Sequence, residues 1–320
     1  MYACSPSWEG DWIDPCEAEK ILGKLSKIFG EKYPKGFDLV GVNLGLHLTG
    51  GEPFLNYGLL LKLTRACKRL SVPGVFVETN CFWCVSDETT EEKLLRLKEE
   101  GLRGILISVN PFTVEETPFE RVERAIRISR KIFDGNTMVY HETFLLRLRS
   151  LGFKGTVPLE KYLGLVGCVD PVGLSKELGC LILPKGRAPY QLGHLYRKHP
   201  AKHFFGCSCL EELTRGWHIH IDNYYNYITG YCAGISLGDA RDIEEILEGV
   251  DLDDNPIIAM LTSSRGLERL YRFAIEEFGY VERGEGYVSK CHLCTDIRRH
   301  IVEQGGDFRE LRPKEFYSNL

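Results

Sequence analysis

The sequence lacks both a long hydrophobic run and a large excess of charge of one sign. Its 320 residues include 40 Lys and Arg against 45 Asp and Glu, so the net charge is only −5. Since nucleic-acid-binding surfaces usually carry a basic excess, no nucleic acid is expected as a partner. The most apolar stretch, VGVNLGLHL at residues 40–48, is far shorter than the ~20 residues that cross a bilayer, and no membrane partner is expected either.

A secretion signal is also missing, because the opening residues MYACSPSWEGDW have neither a basic start nor an apolar segment. The predicted location is therefore cytoplasmic. In that compartment the 12 cysteines indicate metal ligation or redox chemistry rather than disulfides. Three of them, Cys67, Cys168 and Cys180, are predicted to be thiols that only pack in the interior. The others are Cys4, Cys16, Cys81, Cys84, Cys207, Cys209, Cys232, Cys291 and Cys294.

Strand and helix signals alternate along the first part of the chain with a period near 30 residues, which is typical of a βαβ unit. The predicted strands are Leu39–Leu48, Val75–Thr79, Gly104–Val109 and Thr137–His141. Apolar strands separated by amphipathic helices predict an α/β fold with a parallel sheet. Spacing alone does not separate an open sheet from a barrel, but in both the loops after the strands build the site.

This rhythm ends near residue 150, and a cysteine- and aromatic-rich region follows. The segment WHIHIDNYYNYITGYCAG predicts a β-hairpin, and Asn255-Pro256 predicts the start of a long helix that reaches Phe278. We therefore expect two domains, an α/β domain over residues 1–190 and a small cysteine-rich α+β domain over residues 191–320.

The segment HLTGGEPFLN follows the first predicted strand. Gly50 and Gly51 carry no β-carbon, so the backbone can turn tightly there and approach a ligand closely. Glu52 places a carboxylate beside them, and Pro53 stiffens the exit from the turn. The pattern predicts a ligand-binding loop at the end of the strand.

This segment resembles the GGEP motif of the radical S-adenosylmethionine (SAM) enzymes, and the resemblance extends over roughly residues 10–145. In that family the motif holds the methionine ammonium of SAM. The next strand end, Thr79-Asn80, and the polar residues Ser108 and Asn110 on the following strand match further family positions, the latter near the ribose. The resemblance therefore implies that SAM binds at these eight residues, Gly50 to Pro53 included.

The resemblance also implies a fold and an activity. The fold would be a partial parallel (β/α)6 barrel that lacks its first strand, because the first predicted strand here aligns with the family's second. The activity would be reductive cleavage of SAM to a 5′-deoxyadenosyl radical, with a cytosolic electron donor. Tyr140, His141 and Glu142, at the end of the fourth strand, are weaker candidates for substrate binding or proton transfer.

One family feature is absent, the Cys-x3-Cys-x2-Cys loop that holds the catalytic 4Fe-4S cluster. Three interpretations stay open: the natural chain begins further upstream, the cluster has been lost, or cysteines such as Cys4, Cys81 and Cys84 ligate in its place. The catalytic cluster is expected only if the missing loop exists. As given, the chain is expected not to cleave SAM.

A second set of cysteines lies in the C-terminal part, and it resembles the SPASM and twitch extensions of radical SAM enzymes. There one cysteine precedes a β-hairpin, another follows it, and a Cys-x2-Cys pair comes later. The resemblance implies one auxiliary 4Fe-4S cluster held by Cys209, Cys232, Cys291 and Cys294, with Cys207 as a substitute for Cys209. Zinc is the alternative metal.

Two function classes follow from these patterns. The first is a radical SAM enzyme that acts on an unknown substrate, which is plausibly a peptide or protein because SPASM-type relatives often use one. The second is a non-enzymatic iron-sulfur scaffold or electron carrier that uses only the C-terminal cluster. The two differ in whether the protein binds SAM.

Overall fold

A computed structural model describes residues 4–5, 7–8, 12–166 and 183–320. Cys168 and Cys180 lie outside the described residues. The chain divides into two compact units, Asp14–Val169 on the one hand and Met1–Ile13 with Asp170–Leu320 on the other. The domain limits at residues 190 and 191 stay predictions. No described helix combines the length and the apolar character needed to span a membrane.

The unit that begins at Asp14 is built on a parallel sheet of four strands in the order β1-β2-β3-β4. Its strands are β1 (Leu46–Leu48), β2 (Val75–Thr79), β3 (Gly104–Ser108) and β4 (Thr137–Tyr140). Its helices are α1 (Pro15–Lys32), α2 (Tyr57–Arg69), α3 (Asp87–Glu99), α4 (Thr113–Glu116), α5 (Phe119–Phe133), α6 (Glu142–Ser150) and α7 (Leu159–Val166). The predicted α/β class with a parallel sheet is confirmed, whereas its closure into a barrel stays a prediction.

Local sequence signals set most of these boundaries. The Asp14 side chain accepts hydrogen bonds from the first amides of α1, and Asn56 caps α2 in the same way. The first strand is shorter than the predicted Leu39–Leu48. Gly41 and Leu44 pair across a tight turn, so only the last three residues join the sheet.

On one face of the sheet apolar side chains pack together, and polar side chains lie beyond them toward the carboxyl ends of the strands. Phe76 and Leu106 pack there with Val40 and the partly buried Met138. Because strand residues alternate between faces, Glu78 and Ser108 lie on the same side as Phe76 and Leu106, two residues nearer the carboxyl ends. The polar side chains of Glu78 and Ser108 therefore lie next to this apolar cluster, toward the carboxyl ends of the strands.

The other unit combines helices with one two-stranded sheet. Its strands are β5 (Ile219–Ile221) and β6 (Tyr227–Thr229), which form the predicted antiparallel hairpin. Its described helices are α8 (Ala188–Leu192), α9 (Leu210–Leu213), α10 (Ile243–Glu248), α11 (Pro256–Thr262), α12 (Gly266–Phe278), α13 (Lys290–Glu303) and α14 (Lys314–Ser318). Short 3₁₀ segments occur at Pro53–Asn56 and Asp134–Asn136 of the first unit, and at Gly193–Leu195, Ala201–Phe204 and Ala240–Asp242 here.

The prediction of one continuous helix from Asn255 to Phe278 was wrong. The chain breaks between α11 and α12, where Arg265 adopts a left-handed conformation with φ of 54°. At Gly266 a β-carbon would lie 2.5 Å from the carbonyl oxygens of Met260 and Leu261, so the two helices meet more closely there than a side chain would allow. The break folds α12 back into the core that α13 also joins.

Candidate functional site

The loop after β1 leaves its backbone open to a ligand. Gly50 has a φ of 146°, a conformation that side-chain-bearing residues rarely adopt. A β-carbon added at Gly50 or at Gly51 would meet no atom within 4 Å. The two glycines therefore border unfilled space at the carboxyl edge of the sheet, where parallel α/β sheets bind their ligands.

Glu52 joins this loop to the end of the next strand. Its carboxylate is buried, with 6% of the residue exposed, and accepts hydrogen bonds from Phe54 N at 3.1 Å, Thr79 Oγ1 at 3.0 Å and Asn80 N at 2.7 Å. Burial raises its pKa above the ordinary value, although the three hydrogen bonds oppose that shift. An ionised carboxylate has about four acceptor positions, so one stays available to an external donor.

An aromatic wall stands beside Glu52. The rings of Phe54 and Trp83 stack at 3.9 Å, and Trp83 Nε1 donates to Thr79 Oγ1 at 2.9 Å. The Asn80 side-chain oxygen accepts a hydrogen bond from Phe82 N at 2.9 Å, so it shapes the loop. The stacked rings thus connect Thr79 to Phe54, which follows the glycine loop, and the Asn80 side chain holds the turn after the strand.

Glu78 is the centre of a second polar cluster, on the face of the sheet that also carries Phe76 and Leu106. Its carboxylate accepts hydrogen bonds from Ser108 Oγ at 2.5 Å and Thr49 Oγ1 at 3.2 Å, and His47 Nε2 lies 3.3 Å away. The His47 ring stacks on Phe76 at 4.5 Å. Sequence reasoning identified only Ser108 of this group. The missed signal was Glu78 itself, a charged residue in the otherwise apolar strand VFVET. It stands two positions after Phe76 and therefore on the same face of the strand.

Stability should fall on acidification as Glu78 becomes protonated. Burial raises the pKa of Glu78, but His47 and the hydroxyls of Ser108 and Thr49 outweigh it and hold the pKa below its usual 4.5. The stabilisation by the ionised form is therefore complete above that value and is lost as the pH falls below it. Urea unfolding between about pH 6 and about pH 3 should show a smaller loss for Glu78→Gln than for the wild type. Equal losses in both proteins would contradict this assignment.

The remaining candidates on this unit have local roles. Asn110 Oδ1 accepts hydrogen bonds from Phe112 N and Thr113 N, both at 3.0 Å. His141 caps α6, because its Nδ1 accepts a hydrogen bond from Thr143 N at 3.2 Å. Tyr140 is 44% exposed and is the register partner of Ser108, and Glu142 is exposed in the first turn of α6. Tyr140 is thus beside Ser108, a member of the Glu78 cluster, on the neighbouring strand.

In the other unit, Cys209, Cys232, Cys291 and Cys294 line a single cavity. The centre of a water molecule can occupy about 30 Å³ of this cavity. One water needs about 10–15 Å³ of such space, so the cavity is larger than a single water requires. Burial raises the pKa of Cys291 to about 12, and the neighbouring thiols Cys232 and Cys294 add to that effect. The four thiols are thus close enough to influence one another electrostatically.

Three separate segments bring these thiols together. Cys209 precedes α9 and donates its amide to Leu261 O at 2.8 Å, and Cys232 follows β6. Cys291 and Cys294 lie three residues apart within the first five residues of α13, on one helix face. The unpaired amides and the dipole at this helix start favour a negative group there.

By their chemistry the four thiols suit either a 4Fe-4S cluster or a zinc ion, because four thiolates can hold each of them. Within the described residues, no group of three or more His, Cys, Asp or Glu side chains is placed so as to hold a metal ion.

The other cysteines that the structure describes are not among the residues that line this cavity. Cys207 is partly buried, and Leu267 N donates a hydrogen bond to its carbonyl oxygen at 3.2 Å. Cys81 and Cys84 are buried in the other unit, where burial raises the pKa of Cys81. Cys67 is also buried, as predicted, and burial raises its pKa to about 12.

No model of a known protein family and no curated protein matches the chain.

Proposed function

We propose that this chain is an iron-sulfur protein of the radical SAM type, which binds a 4Fe-4S cluster in one unit and SAM in the other. The observation that carries the proposal is the common cavity of Cys209, Cys232, Cys291 and Cys294. These are the four cysteines that the resemblance to SPASM and twitch extensions implies as cluster ligands. Four thiolates are the usual protein ligands of such a cluster.

The donor set fits that cluster, because the cavity lining supplies four thiols. Two of them, Cys291 and Cys294, lie near the start of α13, where the helix dipole favours negative charge. Zinc stays the alternative metal, since four thiolates can also hold it. When bound with four ligands, the cluster supplies one-electron transfer or structural support. The chain's part is to hold four thiolates in place and to keep water away from them.

SAM binding is supported by the loop after β1. The open space beside Gly50 and Gly51 allows a ligand to approach the backbone, and the free acceptor position of Glu52 suits an ammonium group. The Glu78 and Ser108 cluster offers polar atoms on the face of the sheet that carries Phe76, where ribose hydroxyls would find partners. The same proposal includes the partial barrel, an electron donor, and an unknown substrate for which a peptide or protein is the candidate class.

Reductive cleavage of SAM requires a further cluster that the 320 residues do not specify, since they contain no Cys-x3-Cys-x2-Cys motif. We therefore propose that this chain binds SAM but does not cleave it by itself. The positions that hold SAM and those that hold the cluster are on different units, so each can be tested alone.

Anaerobic reconstitution with iron and sulfide tests the proposal. We expect a brown protein with about four iron and four sulfide per chain, together with SAM binding detected by calorimetry. A colourless protein with one zinc per chain would show that the site holds a structural zinc ion instead of the cluster. A protein with the cluster and no heat of SAM binding would favour the scaffold or electron-carrier alternative, and a protein that binds neither iron nor SAM would refute both.

A further inference from the structure

Arg298 is a buried cation against the cysteine cavity. It lies one turn after Cys294 on α13, lines the same cavity and is 3% exposed. Its Nε donates to Cys294 Sγ at 3.3 Å. Arg298 is therefore in direct contact with one of the four thiols.

The other donors of this guanidinium have neutral partners. One terminal nitrogen donates to Ala233 O at 3.1 Å and to the Tyr317 hydroxyl at 2.6 Å, and the other donates to Thr295 Oγ1 at 3.1 Å. Tyr317 is itself buried and donates to the carbonyl of Gly234. These contacts hold the guanidinium in one orientation, with Nε directed at the sulfur.

The charge of Arg298 has no carboxylate partner in the part of the chain that the structure describes. Lys290, the other cation on the cavity wall, is paired with Glu212 at 2.6 Å. Burying a cation without an anion is unfavourable. A cluster with thiolate ligands in this cavity would supply the negative charge that Arg298 lacks.

We propose that Arg298 is the counter-ion of the iron-sulfur site and sets the reduction potential of the bound cluster. The inference rests on the proposed function. The hydrogen bond to the sulfur and the positive charge both stabilise the more negative, reduced state, and both quantities set cluster potentials. Arg298 is thus a positioning residue that acts on the cluster through its ligand.

The test compares Arg298→Met and Arg298→Lys with the neighbouring Arg299→Met. Arg299 lies on the same helix but pairs with Glu303 at 2.6 Å on the surface, so it controls for a lost charge away from the cavity. Each protein is reconstituted anaerobically, its iron and sulfide are counted, and the midpoint potential is measured by a redox titration followed in the visible spectrum and by electron paramagnetic resonance.

We expect Arg298→Met to shift the midpoint potential to a more negative value, Arg298→Lys to shift it less in the same direction, and Arg299→Met to leave it unchanged. Where circular dichroism shows Arg298→Met to be unfolded, the shift in Arg298→Lys decides. Unchanged potentials in folded, loaded Arg298 variants would overturn the inference alone. A wild type that takes up no iron would overturn the proposed function, and this inference with it.

Discussion

A Cys209→Ala variant is expected to lose most of its iron and sulfide, whereas Cys207→Ala, two residues earlier, keeps them. Cys209 lines the cavity with Cys232, Cys291 and Cys294, and Cys207 does not. Removing one of four thiolate ligands should reduce the iron content from about four per chain to below about one after desalting. Metal analysis and the visible spectrum of the anaerobic proteins measure the difference.

The pair also decides between the two ligands that the sequence left open. Cys207→Ala controls for the chemistry of the substitution at nearly the same place in the chain. Loss of iron in Cys207→Ala with retention in Cys209→Ala would reverse the assignment. Full iron content in both variants, and in Cys294→Ala, would show that the cavity holds no cluster.

Enlarging Gly51 should weaken SAM binding without unfolding the protein. A β-carbon at Gly51 meets no atom within 4 Å, so a side chain there occupies the space proposed for the ligand. Overpacking typically costs about 1–3 kcal/mol, so Gly51→Val should lower the affinity about 5- to 150-fold. Gly51→Ala should have a smaller effect, and calorimetry with SAM measures both.

Gly216 offers the matched control for this series. It also borders open space, since a β-carbon there meets no atom within 4 Å, but it lies in the other unit. Gly216→Val should leave SAM affinity unchanged. If Gly51→Val binds SAM as tightly as the wild type at equal thermal stability, the glycine loop does not form the ligand site.

Much of the first unit could be predicted because its signals are local. Val75–Thr79 was predicted with the observed limits. Helix starts such as those at Asp14 and Asn56 depend on one side-chain oxygen next to the first helical residues, which is a local signal. The first strand was predicted too long, since the apolar pattern of residues 39–48 does not show that the chain turns at Gly41 and Leu44. That turn depends on backbone geometry, which hydrophobic alternation does not encode.

The features that sequence reasoning missed depend on tertiary contacts. The helix break before Gly266 lies between two stretches of similar helical periodicity, so the pattern continues across it. The Glu78 cluster draws residues from three strands, and the Arg298 guanidinium is bonded to Tyr317 because α13 and α14 pack together. Such partners become visible when the segments are folded against each other.

The origin of the four cavity cysteines in distant segments has a consequence for the integrity of the C-terminal unit. Any group held by all four thiolates acts as a cross-link between the start of α9, the end of the hairpin and the start of α13. Such a cross-link lowers the chain entropy that unfolding would release, and its binding free energy adds to the stability of the fold. Oxidative damage to the inorganic core would thus leave these three segments without their tether and the whole unit more vulnerable to proteases.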